Sequence, residues 1–190
     1  MTPHAIRVLD DVLPDPEGYR AAALYLDFHD IQPCESVTFH GMADVGRSPL
    51  SDLLAERFGL TTTTSFFRLS PEGQEEPNYI HTDQDMGEWT AILYLHPEPP
   101  KQDGTVFWRS VKTGEIQSVA SDPQEKYGEW LAWRDLTLWD PWHTVNARFN
   151  RLLLFPSPYF HSRAIYENWG AGDDARLIQL CFGTGTLPCV

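Results

Sequence analysis

Two rhythms of apolar and polar positions divide this 190-residue chain near residue 60. Before that point the spacing is helical in two places. Leu50, Leu53, Leu54 and Phe58 fall on one face of a segment that opens with Ser48-Pro49 and stops at Gly59. A serine cap, a proline in the first turn and a glycine just past the end are the punctuation of a helix, here predicted over 48–58. A second helix is predicted over 17–26, with Asp15 as its cap and Pro16 in its first turn. An opening strand over 6–13 precedes it and ends in the turn Leu13-Pro14-Asp15-Pro16.

From Thr61 the rhythm shortens to β runs separated by turns. Strands are predicted over 62–69, 79–83, 88–95, 105–110, 144–149, 151–155, 159–166 and 175–183. Asn150 lies between two of them as a natural hairpin turn residue. About eight strands of this kind suggest an antiparallel sandwich or jelly roll. One segment interrupts the series. Asp122-Pro123-Gln124-Glu125 has a helix-start signature, and Tyr127, Trp130, Leu131 and Arg134 then fall near one helical face. A helical insertion is therefore expected near 122–135. No linker or internal repeat divides the chain, so residues 1–190 read as a single domain.

Charge narrows the partners. With 14 basic and 27 acidic residues the formal net charge is −13. That argues against nucleic acid, whose binding depends on neutralising phosphates, and against docking on anionic membranes. No apolar run approaches the ~20 residues of a membrane helix, and the first residues lack a signal-peptide pattern. Cys34, Cys181 and Cys189 are odd in number and scattered, as expected of reduced thiols in a cytoplasmic protein. Oligomeric state is not legible.

Chemistry enters at His81-Thr82-Asp83. On a strand, side chains two apart share a face, so one imidazole and one carboxylate there can grip one ion. His161, from a distant strand, supplies a third donor and leaves the opposite positions open. This is the 2-His-1-carboxylate arrangement of non-haem Fe(II) oxygen chemistry. Arg176 follows as a fixed cation for a dicarboxylate cosubstrate. Among Leu177, Ile178 and Leu180 it needs a partner if buried, and a bound dicarboxylate would provide one.

The order of these pieces resembles the Fe(II)/2-oxoglutarate-dependent dioxygenases, and most closely their prolyl-hydroxylase-like branch. The resemblance rests on Tyr79-Ile80-His81-Thr82-Asp83, Trp89 to Leu95, Gly104-Thr105-Val106-Phe107, Asn150 to Ser157, Phe160-His161-Ser162 and Ala175 to Ile178, and it covers residues 62–183. It implies a mainly β fold, a double-stranded β-helix (jelly roll), with the N-terminal helices packed on the larger sheet. It also implies Fe(II) held by His81, Asp83 and His161, with 2-oxoglutarate and O2 as cosubstrates. The far carboxylate of 2-oxoglutarate would pair with Arg176, and a C–H bond would be hydroxylated. Asp83 disfavours halogenation, because related halogenases carry a small residue there.

Three features depart from the family pattern. His96 stands where an asparagine is common. Arg176 lies fifteen positions after His161, an excess that Ala171-Gly172-Asp173-Asp174 explains as a small loop insertion. Ile178 occupies a position where many members have Ser or Thr, so a hydroxyl for the cosubstrate must come from elsewhere, with Tyr79 and Thr90 as candidates. Arg163 shares the face of His161 and is a second candidate cation. His143 competes with His161 as distal ligand, but it precedes the Asn150 hairpin, whereas the family's ligand follows it. His143, Trp130 and Trp133 are candidate substrate contacts, the tryptophans as part of a lid. The substrate is open between a small molecule, an amino acid and a peptide. Two other readings stay open: a cupin-like metalloprotein that does not use 2-oxoglutarate, and a non-catalytic jelly-roll binding protein.

Overall fold

The structure is a computed structural model that describes residues 5–34, 37–74, 80–119, 135–165 and 167–187. Its elements are β1 (Arg7–Leu9), α1 (Pro16–Leu24), β2 (His29–Cys34), β3 (Val37–Asp44), α2 (Pro49–Phe58), β4 (Thr61–Ser70), β5 (Trp89–Tyr94), β6 (Gly104–Ser110), β7 (Trp139–Asn146), β8 (Arg151–Pro156), β9 (His161–Arg163) and β10 (Arg176–Thr184). The expected insertion near 122–135, apart from its last residue, lies outside the described residues, with Trp130 and Trp133 in it; so does Tyr79.

Both helices begin and end as their sequences dictate. The Asp15 carboxylate accepts from the Gly18 amide and caps α1. Ser48 and Ser51 form a reciprocal capping box at α2, and Gly59 closes it at φ 68°, a left-handed conformation that favours glycine.

Among the described residues ten strands form two antiparallel sheets, consistent with a jelly roll. The larger runs β1-β8-β5-β10-β4-β3-β2, and the smaller runs β7-β6-β9. After β4 and β5 in the large sheet the chain crosses to β6 and β7 in the small one, returns to β8, crosses to β9 and returns to β10, so strands distant in sequence become neighbours. Strand β5 lies between β8 and β10 and is buried at every position. Trp89, Ala91 and Leu93 point into an outer core shared with Leu50 and Leu54 of α2 and Ala23 of α1. Ile92 and Tyr94 point the other way, into an inner core with Phe107, Val145, Leu153 and Phe155. Continuous apolar runs such as Ile92-Leu93-Tyr94-Leu95 are what burial on both faces demands.

Two elements depart from expectation. The β2–β3 hairpin was not predicted, because Pro33 and Gly41 interrupt its pattern; β2 forms the sheet's outer edge, where a proline costs no ladder bond. Strand β7 starts at Trp139, five residues before the expected strand, since Asp140-Pro141 reads as a turn. A bulge there sets Phe107 opposite His143 but Trp108 opposite Pro141. The extra residue, Trp142, packs on the inner core, and His143 lies with its ring near-parallel to Phe107 at 6.1 Å.

The hairpin between β7 and β8 is pinned by Asn150. This buried residue sits at φ 59°, its Oδ1 accepts from the Leu13 amide and its Nδ2 donates to the Leu13 carbonyl, each at 2.9 Å. Replacing Asn150 by Ala strands two buried backbone groups in a left-handed turn, at a cost of roughly 2–4 kcal/mol. Asn150→Gly, which tolerates the turn, is expected to lose about 1 kcal/mol less. Denaturant midpoints of the two variants test this order.

A second prediction concerns acid. Asp10 accepts from Arg151 and Arg148. The hydrogen bond from Arg151 holds its carboxyl below the ordinary 3.8, against the opposing effect of burial and with the charges of Arg151 and Arg148 adding to it. The folded state therefore gains stability from Asp10 above pH ~4, and loses it as pH falls through the lower folded value. Asp10→Asn is expected to lose less stability than the wild type between pH 5 and 3, read from thermal midpoints.

Candidate metal centre

The small sheet is extended at its β9 edge by one rung, His81 opposite His161. Their amides and carbonyls exchange two hydrogen bonds, each 2.9 Å. This is the hydrogen-bonded type of antiparallel pair, which sets both side chains on one face. Their rings stand 4.3 Å apart. Residues 80–83 make this single bridge rather than the expected full strand. The Asp83 amide then bonds the Ser157 carbonyl at 2.9 Å, which fixes the carboxylate beside the imidazoles.

The three side chains converge. One donor atom from each of His81, Asp83 and His161 lies within 4.8 Å of the others. Nε2 of His161 is 3.2 Å from Asp83 Oδ2, and Nε2 of His81 is 3.6 Å from Oδ1. The Nδ1–H of His161 donates to the Tyr159 carbonyl at 3.0 Å, which orients the ring with Nε2 aimed at the centre. Burial opposes charge on Asp83, but the His161 imidazole outweighs it, aided by His81 and by a Thr90 hydrogen bond, and the carboxyl sits below its usual range. Burial likewise pushes His161 down, and Asp83 more than reverses this. An ionised carboxylate with two imidazole nitrogens fits a divalent cation.

Thr90 belongs to this centre. Its hydroxyl donates to Asp83 Oδ2 at 3.0 Å, and its oxygen is 2.9 Å from Ser157 Oγ. An ionised carboxylate only accepts, so the chain of donors runs from Ser157 through Thr90 to Asp83. Thr90, the candidate hydroxyl for the cosubstrate, is engaged by Asp83 and Ser157 in this structure.

Arg176 is buried, and its partner is within the chain. Nε donates to both oxygens of Asp103, 3.3 Å from each, and both side chains are almost fully removed from water. Asp103, in Lys101-Gln102-Asp103-Gly104, reads from sequence as a turn residue. Its burial follows from Gly104, whose φ of 151° carries the chain against the Val145 carbonyl, where a Cβ would not fit. Arg163 is opposite Thr105, whose hydroxyl meets the buried Tyr94 hydroxyl at 2.7 Å. Arg163 therefore faces inward with His161. His143 is two strands away from the centre on the same inner face, opposite Phe107, which is in turn opposite His161.

Comparison with known proteins agrees with this architecture. No curated protein matches the sequence. Among solved structures, the non-heme alpha ketoglutarate dependent carbocyclase SnoK from nogalamycin biosynthesis superposes with a TM-score of 0.59 at 15% identity, covering 94% of this chain and 79% of that one. A Pseudomonas putida prolyl-4-hydroxylase gives 0.56 at 16% identity, covering 96% and 94%. The epimerase SnoN, in complex with Fe3+, alpha ketoglutarate and nogalamycin RO, gives 0.54 at 15% identity, covering 94% and 78%. The fold is thus that of the 2-oxoglutarate-dependent oxygenases, prolyl hydroxylases among them. A family model matches residues 2–180, and by that match the chain belongs to the family of unknown function DUF6445.

Proposed function

We propose that this protein is a non-haem Fe(II)- and 2-oxoglutarate-dependent oxygenase that hydroxylates a C–H bond of a small molecule or an amino-acid or peptide substrate. The observation that carries the proposal is the convergence of His81, Asp83 and His161, with His161 Nε2 turned to the centre by the Nδ1 bond to the Tyr159 carbonyl. The fold neighbours support it: one is a prolyl-4-hydroxylase, and another binds iron, alpha ketoglutarate and a small-molecule natural product. When bound, an iron centre chelated by a 2-oxo acid supplies the oxidising power for C–H chemistry, and the protein supplies position and exclusion of water.

The chain's own residues do three things in this reading. His81, Asp83 and His161 would hold the ion, three protein donors being the set that suits non-haem Fe(II). Thr90 and Ser157 keep the Asp83 carboxylate turned toward it. Phe155, edge-on to His161 at 4.8 Å, and Phe107 line the inner side and keep it apolar. His143 and Trp142, turned inward by the bulge in β7, are proposed to meet the substrate. Arg176, Arg163 and Tyr79 are proposed on the cosubstrate side. Among the described residues no helix is long and apolar enough to cross a membrane; a cytoplasmic location belongs to the proposal.

Two experiments test it. Anaerobic addition of Fe(II) and then 2-oxoglutarate is expected to give a weak visible charge-transfer band that needs both and is absent in His161→Ala. Iron retained without a band would favour the cupin-like reading, and failure to hold any divalent metal would favour a binding protein. Thr90→Val, which keeps shape and removes the bond to Asp83, is expected to weaken metal affinity about tenfold or more. A titration with Mn(II) measures this, and unchanged affinity would remove Thr90 from the centre.

A further inference from the structure

A regular strand sends neighbouring side chains to opposite faces. Strand β7 breaks that rule beside the metal centre. Its bulge leaves His143 opposite Phe107 and adds Trp142, so two consecutive side chains meet the inner core. Bulges re-aim side chains in this way next to active sites. Trp142 is fixed by its indole N–H, which donates to the Trp108 carbonyl at 3.1 Å. Phe107, Trp142 and His143 then form a triangle of rings, with centroids 5.9, 5.8 and 6.1 Å apart. Tyr159 borders it, 6.2 Å from Phe107 and 6.1 Å from Trp142.

His143 differs from these neighbours in what it leaves unused. Its ring is half-buried and held by two others, yet among the described residues no hydrogen bond reaches either ring nitrogen. Register sets its place. His143, Phe107 and His161 stand side by side on β7, β6 and β9. His143 is therefore two strands, roughly 10 Å, from a metal ligand, with Phe107 as the floor between.

Charge on this face is one-sided. From Gly104 to Phe107 of β6 and their partners on β7 and β9, the inward side chains are Thr105, Phe107, His143, Val145, His161 and Arg163, with no acid among them. Beyond the bulge Asp140 is opposite Arg109, and both are exposed. Asp83 belongs to the metal set, and Asp103 is paired with Arg176. In a chain of 27 acidic and 14 basic residues, this inner face carries only neutral and basic groups.

We propose that this face takes a small carboxylic acid with an apolar body as substrate, and that His143 is the specificity-determining residue that donates to its carboxylate. The proposal rests on the oxygenase reading above and names the substrate class for that site. One aromatic ring or a short alkyl chain would lie over Phe107, with its far end toward the metal ligands. A carboxylate draws a charge-assisted hydrogen bond from an imidazole, and an amide draws a weaker one. An amine finds no acid on this face to pair with.

The test uses the full chain loaded with Mn(II) and 2-oxoglutarate, without oxygen. The probes are 3-phenylpropanoate, 3-phenylpropanamide and 3-phenylpropylamine, which share one body and differ in the polar end. Paramagnetic relaxation of the probe protons reads affinity and orientation together. The wild type is expected to bind the acid about tenfold more tightly than the amide, the worth of a hydrogen bond to a charged group. The far ring proton should be relaxed more than the methylene beside the carboxylate. His143→Leu should abolish the preference with Mn(II) affinity unchanged, and His143→Gln, which keeps a neutral donor, should restore part of it. Preference for the amine, a reversed orientation, or a preference unmoved in His143→Leu overturns the proposal. So does a wild type that holds Mn(II) and binds none of the probes, and each of these leaves the oxygenase reading standing. A wild type that binds no Mn(II) overturns both.

Discussion

Every side chain of β5, from Trp89 through Tyr94, is removed from water, so the strand needs a covering layer on each face. The outer layer comes from α1 and α2, whose Ala23, Leu50 and Leu54 join Trp89, Ala91 and Leu93. The inner layer comes from the small sheet, through Phe107 and Val145. Strand alternation then assigns every neighbour a role. Odd positions of β5 serve the scaffold, and even positions serve the interior, where Thr90 meets Asp83 and Tyr94 meets Thr105. The same rule on β10 sends Leu177 and Cys181 outward and Arg176, Ile178 and Leu180 inward. A slip of one residue in either strand would exchange scaffold for site.

Much of this was legible in the sequence, for reasons that differ by residue. The helices carry strong local punctuation, Asp15-Pro16 at one and Ser48-Pro49 with Gly59 at the other, and the structure uses each signal. The apolar runs at β5, β8 and β10 announce strands buried on both faces. His81 and Asp83 stood out by their two-residue spacing and His161 by its place after the Asn150 hairpin; the structure brings the three together through one bridge and the Asp83–Ser157 bond rather than a full strand. What stayed hidden depends on pairs distant in the chain. Nothing local in Asp103 says that it will meet a residue 73 positions away. The bulge at Trp142 arises from pairing with β6, while its own sequence, Asp140-Pro141, argues for a turn.

The interior is more polar than its burial suggests, and it is organised in short donor chains. Ser157 donates to Thr90 and Thr90 to Asp83. On the outer side of β10, the Tyr19 hydroxyl donates to Gln179, whose amide donates to Ser48 and Ser65. The second chain ties the cap of α2 to the centre of the large sheet and holds the scaffold still behind the site. Burial raises the Cys181 thiol in this layer to about 12, with Ser65 Oγ at 3.2 Å. That makes it a packing group rather than a nucleophile.

The rung between His81 and His161 gives the centre a mechanical side. The two imidazoles belong to segments joined by backbone hydrogen bonds, at the outermost rung of the small sheet. An ion shared by both would act as a clasp on that rung, closing the long stretch of chain between them much as a reversible cross-link does. An end rung is ordinarily the first to fray. Here fraying and release of the ion would be one event, so occupancy of the centre would set how firmly that edge of the small sheet stays closed.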